Sequence, residues 1–342
     1  MSTGRAGGNV RMVDVARRAG VGTITVSRAL RTPHQVSQAV RERVREAIES
    51  TGYVPNLAAG TLKSQRSRVV AAVVPTLRNT IFAETVEGLA EGLADHGLQL
   101  MIAHSGYSLE AEASILRKLL GQQPVAVVLT GTRHEPAVRA LLRSRDLPVV
   151  ETWELCDDPI DRAVGFSNFE AARRMTLELA AHGRRRIAFA ATPPRKEHRA
   201  AQRLAGYRAA MAELGQRPDV VTLDEQGLTI ASGERAIAAL RSRASAPDAV
   251  FFVNDVAAFG AAQACNRLGI AVPERLAIAG FGDFELARAS NPPLTTVRIP
   301  GERIGRTAAQ LIVERLSGDA AGGQSGSRVI DLGFEIVVRD ST

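Results

Sequence analysis

What the chain lacks narrows it first. Only two cysteines, Cys156 and Cys265, stand in 342 residues. Two are too few for a disulfide scaffold or a Cys-built zinc site. His104, His134, His182 and His198 are scattered at no metal-ligand spacing, so neither a metal nor another cofactor is expected. No apolar run reaches 18 residues, so nothing reads as membrane-spanning. The opening MSTGRAGGNVRMVDVARR has no apolar core of a secretory signal, which predicts a cytoplasmic protein. The signatures GxGxxG, GxxxxGK[ST] and GxSxG are missing where an α/β enzyme would carry them. Acidic residues are also scarce at one end. Residues 1–68 hold twelve Lys/Arg against four Asp/Glu, a net of +8, while the remaining 274 hold 31 against 32. A small basic module on a large neutral body points to a polyanion-binding head.

The composition that is present, 45% apolar and 23% charged, is that of a folded protein long enough for two or three domains. Residues 1–11 are rich in Gly, Ser and Arg and read as a disordered arm. Three short helical patterns follow, at 13–19, 23–31 and 37–50. In DVARRAGVGTITVSRAL, Asp14–Leu30, a small residue (Ala16) sits where a second helix would cross the first. Gly20 tolerates the turn, and Val15, Ala19, Val21, Val26 and Ala29 fill the apolar offsets. Val13 is expected in the same small core. This is the steric pattern of a helix-turn-helix, whose second helix presents its N-terminal residues to base edges. Thr23, Ile24 and Arg28 would face outward there. Arg28 has the fork that pairs with guanine, and Ile24 only an apolar contact to offer. Thr25 and Ser27 suit phosphates.

From Val69 the texture changes to short Val/Ala/Ile runs alternating with amphipathic helices, in two series that meet near residue 165. Continuous apolar strands between helices mean parallel sheets covered on both faces. Ligands bind such sheets beyond the carboxyl ends of the strands. The segments to search are therefore those after each run, PTLRNT, AHSGYS, TGTRHE, ETWELC, FSNFE, ATPPRKEHR, VNDVAA and FGDFE.

These residues resemble the lactose-repressor (LacI/GalR) family of bacterial transcription factors. VDVARRAGVGTITVSRAL, QVSQAVRERVREAIESTGYVPNLAAGTLKSQRS, NDVAAFGAAQACNRLGIAVPERLAIAGF, PPLTTVRIP and IGRTAAQLI carry the likeness from about Val13 to Arg339. FAETVEG, MIAHSGY, VGFSNFEAARRMT and DLGF resemble the gluconate-utilisation repressors within it. The resemblance implies an α plus α/β protein: a helix-turn-helix headpiece, a hinge helix, then two Rossmann-like lobes of the periplasmic-binding-protein type. The expected boundaries are 12–56 for the headpiece, 57–68 for the hinge and 69–342 for an effector-binding and dimerisation domain. Its lobes would be 69–165 with 299–327, and 166–298 with 328–342. The hinge helix, Leu57–Ser64, would wedge the minor groove with Leu62 beside Lys63, and Asn56 and Ala59 would join the DNA contact. Gly60 weakens that helix by about 1 kcal/mol against Ala, so it is expected to form only when two copies pack on DNA.

For the effector, the resemblance implies Arg203 as the binding arginine, a fork suited to a carboxylate. Asn254 matches a sugar-binding position, and Asp255 beside it serves equally well as a helix cap. Glu151, Phe166 and Asn168 are expected at the cleft, and His104 near it. Phe82 is as readily core as ligand wall. At Gly282–Asp283 the family often has an acid one position earlier. Either Asp283 replaces it or the ligand lacks the group that acid binds. The function implied is a repressor that leaves a near-palindromic operator when a sugar acid binds. Activation, a neutral sugar or a protein partner are the alternatives. An enzyme, or a binding protein for transport, would leave the basic head unexplained. No heptad segment follows the last strand before Thr342, so a homodimer is expected instead of a coiled-coil tetramer.

Overall fold

Gly20 makes the first turn of the chain that matters. It takes φ 65° at the end of α1 (Met12–Ala19), and its N–H and that of Val21 return to carbonyls of that helix. A side chain there would meet its own backbone, which glycine avoids. The Gly22 carbonyl then accepts from Thr25 and Val26 and starts α2 (Thr23–Arg31). A single 3-10 turn, Pro33–Gln35, leads to α3 (Gln38–Thr51), which Gly52 closes at φ 66°. Val15, Ala16, Ala19, Val26, Val44, Ala47 and Tyr53 form the small core, edged by Met12, Val21, Ala29, Val40 and Ile48. Val13 is not in it. It is 47% exposed, and Met12 one residue earlier packs instead.

The computed structural model describes residues 10–54, 67–78, 81–192, 197–223, 229–243, 246–318 and 328–342. Residues 1–9 of the expected arm and the expected hinge helix, with Asn56, Ala59, Leu62 and Lys63, lie outside them. The chain divides into two units between Ser67 and Arg68.

The second unit holds two six-stranded sheets. The first contains β1 (Val69–Val74), β2 (Gln99–His104), β3 (Ala126–Thr130), β4 (Val149–Thr152), β5 (Arg162–Gly165) and β11 (Val329–Asp331) in the order β11-β5-β4-β3-β1-β2, all parallel. The second contains β6 (Ile187–Ala191), β7 (Asp219–Thr222), β8 (Ala249–Phe252), β9 (Ala277–Gly282), β10 (Thr295–Arg298) and β12 (Glu335–Val337) in the order β12-β10-β9-β8-β6-β7. Only β12 runs antiparallel to its neighbour. Central strands such as VVAAVV are buried on both faces, which is why they read as unbroken apolar runs.

Helices cover both sheets. On the first are α4 (Ala83–Ala94), α5 (Leu109–Leu120), α6 (Pro136–Arg143) and α12 (Gly301–Ser317). On the second are α7 (Asn168–Ala181), α8 (His198–Glu213), α9 (Ile230–Arg241) and α10 (Asp255–Leu268), with a short α11 (Glu285–Ala289) that periodicity did not reveal. α9 and α10 approach closely through Gly233 and Gly260. A Cβ on Gly233 would lie 1.8 Å from the Ala257 carbonyl oxygen.

The chain passes between the sheets three times, after β5, after β10 and between β11 and β12. The last crossing corrects an expectation. Residues from 328 on were assigned to the second lobe, yet β11 pairs in parallel with β5, Val329 with Ala163 and Ile330 with Val164. The switch falls after Asp331. A three-residue strand has too little pattern to announce which sheet edge it completes.

Candidate functional site

On α2 the small core claims Val26 and part of Ala29, and leaves the opposite face outside. Thr23, Ile24 and Arg28 are exposed there, and Thr25 and Ser27 are half-buried. Ile24 is 68% exposed, a large apolar side chain that packing does not use. Gly22 precedes the helix without a side-chain cap, and an uncapped helix N-terminus can receive a phosphate.

A second site lies at the carboxyl ends of both sheets. Its inner part is walled by Ile81, Phe82, Tyr107, Trp153, Arg203, Asn254, Phe281 and Phe284, and holds only about 20 Å³. The outer part, about 310 Å³, is lined by Tyr107, Glu110, Arg133, Glu154, His198 and Arg199 among others. Tyr107, Glu197 and Arg199 border both. Beneath the inner part runs an aromatic row. Phe82 meets Trp153 edge-on at 4.7 Å, Trp153 meets Phe166 at 6.2 Å, and Phe166 meets Phe281 at 6.2 Å. Four residues from four separate segments thus form a stiff apolar floor.

Arg199 and Arg203 stand one turn apart on α8, so both guanidinium groups reach the same side. Arg203 lies over the Phe281 ring at 4.5 Å and donates to Asn168 Oδ1 at 2.9 Å. Asn168 Nδ2 in turn donates to the Trp153 carbonyl at 3.0 Å. Arg199 lies 5.6 Å over Phe82. Glu197 Oε1 is 3.2 Å from Arg199 and 3.7 Å from Arg203. Among the buried polar atoms of the described residues that have no hydrogen-bond partner are Arg203 Nε and Asn254 Nδ2. Both belong to side chains lining the inner cavity, and an unpaired buried donor costs free energy until something accepts from it.

The scan against family models matches residues 11–56 to the bacterial regulatory proteins of the lacI family and 176–342 to the periplasmic binding protein-like domain. The HTH-type transcriptional regulator GntR of Escherichia coli (strain K12) is 38% identical over 323 residues, covering 94% of this chain and 96% of that protein. The GntR regulator of Pseudomonas aeruginosa is 35% identical, covering 99% and 97%. A crystal structure of a LacI-family transcriptional regulator from Silicibacter pomeroyi superposes with a TM-score of 0.89 at 33% identity, covering 97% and 99%.

The chain belongs to the LacI family of bacterial regulatory proteins. It is a DNA-binding transcriptional regulator, not an enzyme. Its headpiece is the helix-turn-helix and its body the two-lobed periplasmic-binding-like domain. No helix among the described residues is long and apolar enough to cross a membrane.

Within this LacI-family body, the structure brings Phe82, Arg203 and Asn254 to the inner cavity. Asn254 also caps α10, accepting from Ala257 N–H at 2.9 Å. Asp255 is drawn into the fold instead. It accepts from Thr296 and from the Phe284 N–H, and burial pushes its carboxyl up to about 7 against those two hydrogen bonds. Phe166 and Asn168 lie one layer below, holding Trp153 and Arg203 in place.

Two expected contacts are elsewhere. Glu151 is wholly buried on the far face of β4. Alternation along the strand turns it toward α5 and α6. There His134 Nδ1 is 2.6 Å from Glu112 and its Nε2 3.3 Å from Glu151, while the Ile160 N–H donates to Glu151 at 2.5 Å. Burial opposes charge on His134, but the two carboxylates outweigh it and raise the imidazole to about 9. Asp283 is occupied by arginines: Arg298 at 2.7 Å, Arg339 at 2.6 Å and Arg288 at 3.2 Å. It does not border the cavity. His104 is exposed and does not line it either.

Among the acids that do border the cavity is Glu154, two residues past β4. It accepts from the Thr132 N–H and hydroxyl at 2.9 and 2.7 Å and pairs with His198 at 3.4 Å. Burial works against its charge, yet His198, Arg199 and Thr132 hold it down at about 2. Tyr107, Trp153, Glu197, His198 and Arg199 were also missed as site residues. All lie in the post-strand segments AHSGYS, ETWELC and ATPPRKEHR. The available signal was position after a strand, and it could not say which side chains turn inward.

Proposed function

We propose that the chain is a cytoplasmic repressor. It binds a near-palindromic operator as a homodimer and releases it when a small sugar acid, gluconate or a close relation, enters the cavity between the lobes. The observation that carries the effector class is the buried guanidinium pair, Arg199 and Arg203, at a cavity that also offers polar Asn254 and a stacking floor. A guanidinium fork fits a carboxylate, and amide groups fit hydroxyls. The gluconate-repressor pattern in the sequence and the GntR names of the relatives agree with that class.

The proposed DNA contact uses Thr23, Ile24 and Arg28 in the major groove and Thr25 and Ser27 on phosphates. Two copies would set two such helices in successive half-sites. Effector binding would change how the lobes meet, and by reciprocity operator DNA must weaken effector binding by the same factor.

The test is fluorescence anisotropy of labelled DNA from the gene's upstream region at one fixed salt, titrated with protein and then with gluconate. Release of DNA is expected. In Arg203→Ala, DNA binding should persist while release is lost, with gluconate affinity lower by at least about 100-fold, the scale of an unpaired buried charge. Undiminished release in that variant removes Arg203 from the site.

A further inference from the structure

We infer that Glu197 is an internal stand-in for the effector's carboxylate. It occupies the Arg199–Arg203 fork and must be exchanged for an incoming acid. The inference rests on the sugar-acid reading above and adds how that site sets its threshold and rejects neutral sugars.

Glu197 is the residue just before α8, in extended backbone with φ −142°, and both arginines follow it on the first two turns. One carboxylate oxygen, Oε1, serves both guanidinium groups. The side chains of Arg199 and Arg203 are each 6% exposed and that of Glu197 10%, so water screens this triad poorly. The inner cavity, at about 20 Å³, has room for little more than a water molecule, whereas the outer one is sugar-sized. Glu197 borders both. An acid reaching Arg203 from the outer cavity therefore meets Glu197 first.

Charge decides what can replace it. The two guanidinium groups repel each other, and Arg203 is pushed below its usual value by burial and by Arg199, against Glu197. If Glu197 swings out for a neutral polyol, a buried cation loses its counter-charge, which is strongly unfavourable. If it swings out for a carboxylate, the charge count at the fork is kept and Arg203 Nε gains an acceptor. The same residue thus raises the concentration of acid needed and turns away neutral sugars, a repulsive device beside an attractive one.

Competition has a simple arithmetic. A fork free only about one-tenth of the time weakens apparent affinity about tenfold. Isothermal titration calorimetry on the full chain, with gluconate and with the neutral polyol glucitol, tests it. Glu197→Gln should bind gluconate about tenfold tighter than the wild type and also bind glucitol more readily, because no counter-charge is then lost when a neutral polyol enters. Glu197→Asp, which keeps the charge but shortens the reach, should tighten gluconate by about threefold, and it carries the test if Glu197→Gln does not fold. Gluconate binding seen only in Glu197→Gln also supports the exchange. Wild-type binding of gluconate that is unchanged or weakened in both variants overturns the exchange and leaves the sugar-acid reading standing. Binding of glucitol and not gluconate by all three proteins, or of neither, overturns both.

Discussion

The headpiece and the body put their functional residues in opposite places. On α2 the residues proposed to read DNA are those the seven-residue core leaves outside, with Ile24 the most exposed large apolar side chain of the headpiece's helices. In the body the residues proposed to meet an effector are as buried as the core itself. Arg199, Arg203 and Asn254 are each about 5% exposed or less. A surface that contacts a polyanion needs only reach and charge. A cavity that discriminates small polar molecules needs desolvated groups, which must be held by a second layer such as Asn168 and the aromatic row. Periodicity separates inside from outside, so it finds the first kind of site and is blind to the second.

That contrast can be broken at four points, taken from the largest expected effect down. In the body, Gly233→Ala places a Cβ 1.8 Å from the Ala257 carbonyl oxygen, and neither helix can withdraw without lifting off the sheet. The expected loss is at least about 4 kcal/mol, visible as a lowered denaturant midpoint of the body. A midpoint within error of the wild type would mean that the body is not as tightly set as described.

The next concerns pH. His134 is raised from 6.5 to about 9, so its stabilising contribution is complete below about pH 6.5 and is lost as pH rises through about 9. The shift corresponds to ~3 kcal/mol, as an order of magnitude. Urea unfolding at pH 6.5 and pH 9.5 should show that loss in the wild type, and His134→Gln should flatten it. Equal stability at both values would take the charge off His134.

Third, Arg28→Ala should cost about 1–3 kcal/mol in operator affinity, concentrated at one base pair, since the side chain is exposed. Its thermal midpoint should not move. A drop in stability comparable to a core substitution would put Arg28 in the fold and blur the contrast between headpiece and body. The smallest effect is Gly20→Ala. The site is open, with the nearest atom at 3.9 Å, so only the φ of 65° opposes the change, at about 1 kcal/mol. Gly20→Asn should recover much of this, because Asn accepts that conformation. If Gly20→Ala unfolded the headpiece outright, the turn would be holding more than its own dihedral.

Much of the architecture was legible before any coordinates. The turn at Gly20, the break before Gln38 and the alternation of apolar strands with helices follow from local chemistry. Other features were not. Met12 instead of Val13 enters the headpiece core because the angle of α1 against α3 decides which of two neighbours faces inward. Strand β11 joins the first sheet through pairings to residues more than 160 positions earlier. Glu151 and Glu154 are two acids at the end of one strand, and the sequence reading placed only Glu151 at the cleft. Alternation turned the first away to His134, and the chain past the strand carried the second to the cavity.

The sequence by itself determined the family, the alternation of strands and helices, the basic headpiece and the face of α2 left outside its core. These depend on spacing, turn chemistry and charge within short stretches, which a linear chain records directly. The tertiary structure alone decided which side chains share the cavity. Glu154 comes from the first lobe, Glu197, Arg199 and Arg203 from the start of one helix of the second and the residue before it, and Asn254 from beyond the end of another strand. Their meeting depends on three chain crossings and on the facing of each strand end. No local pattern encodes a distance between residues a hundred positions apart.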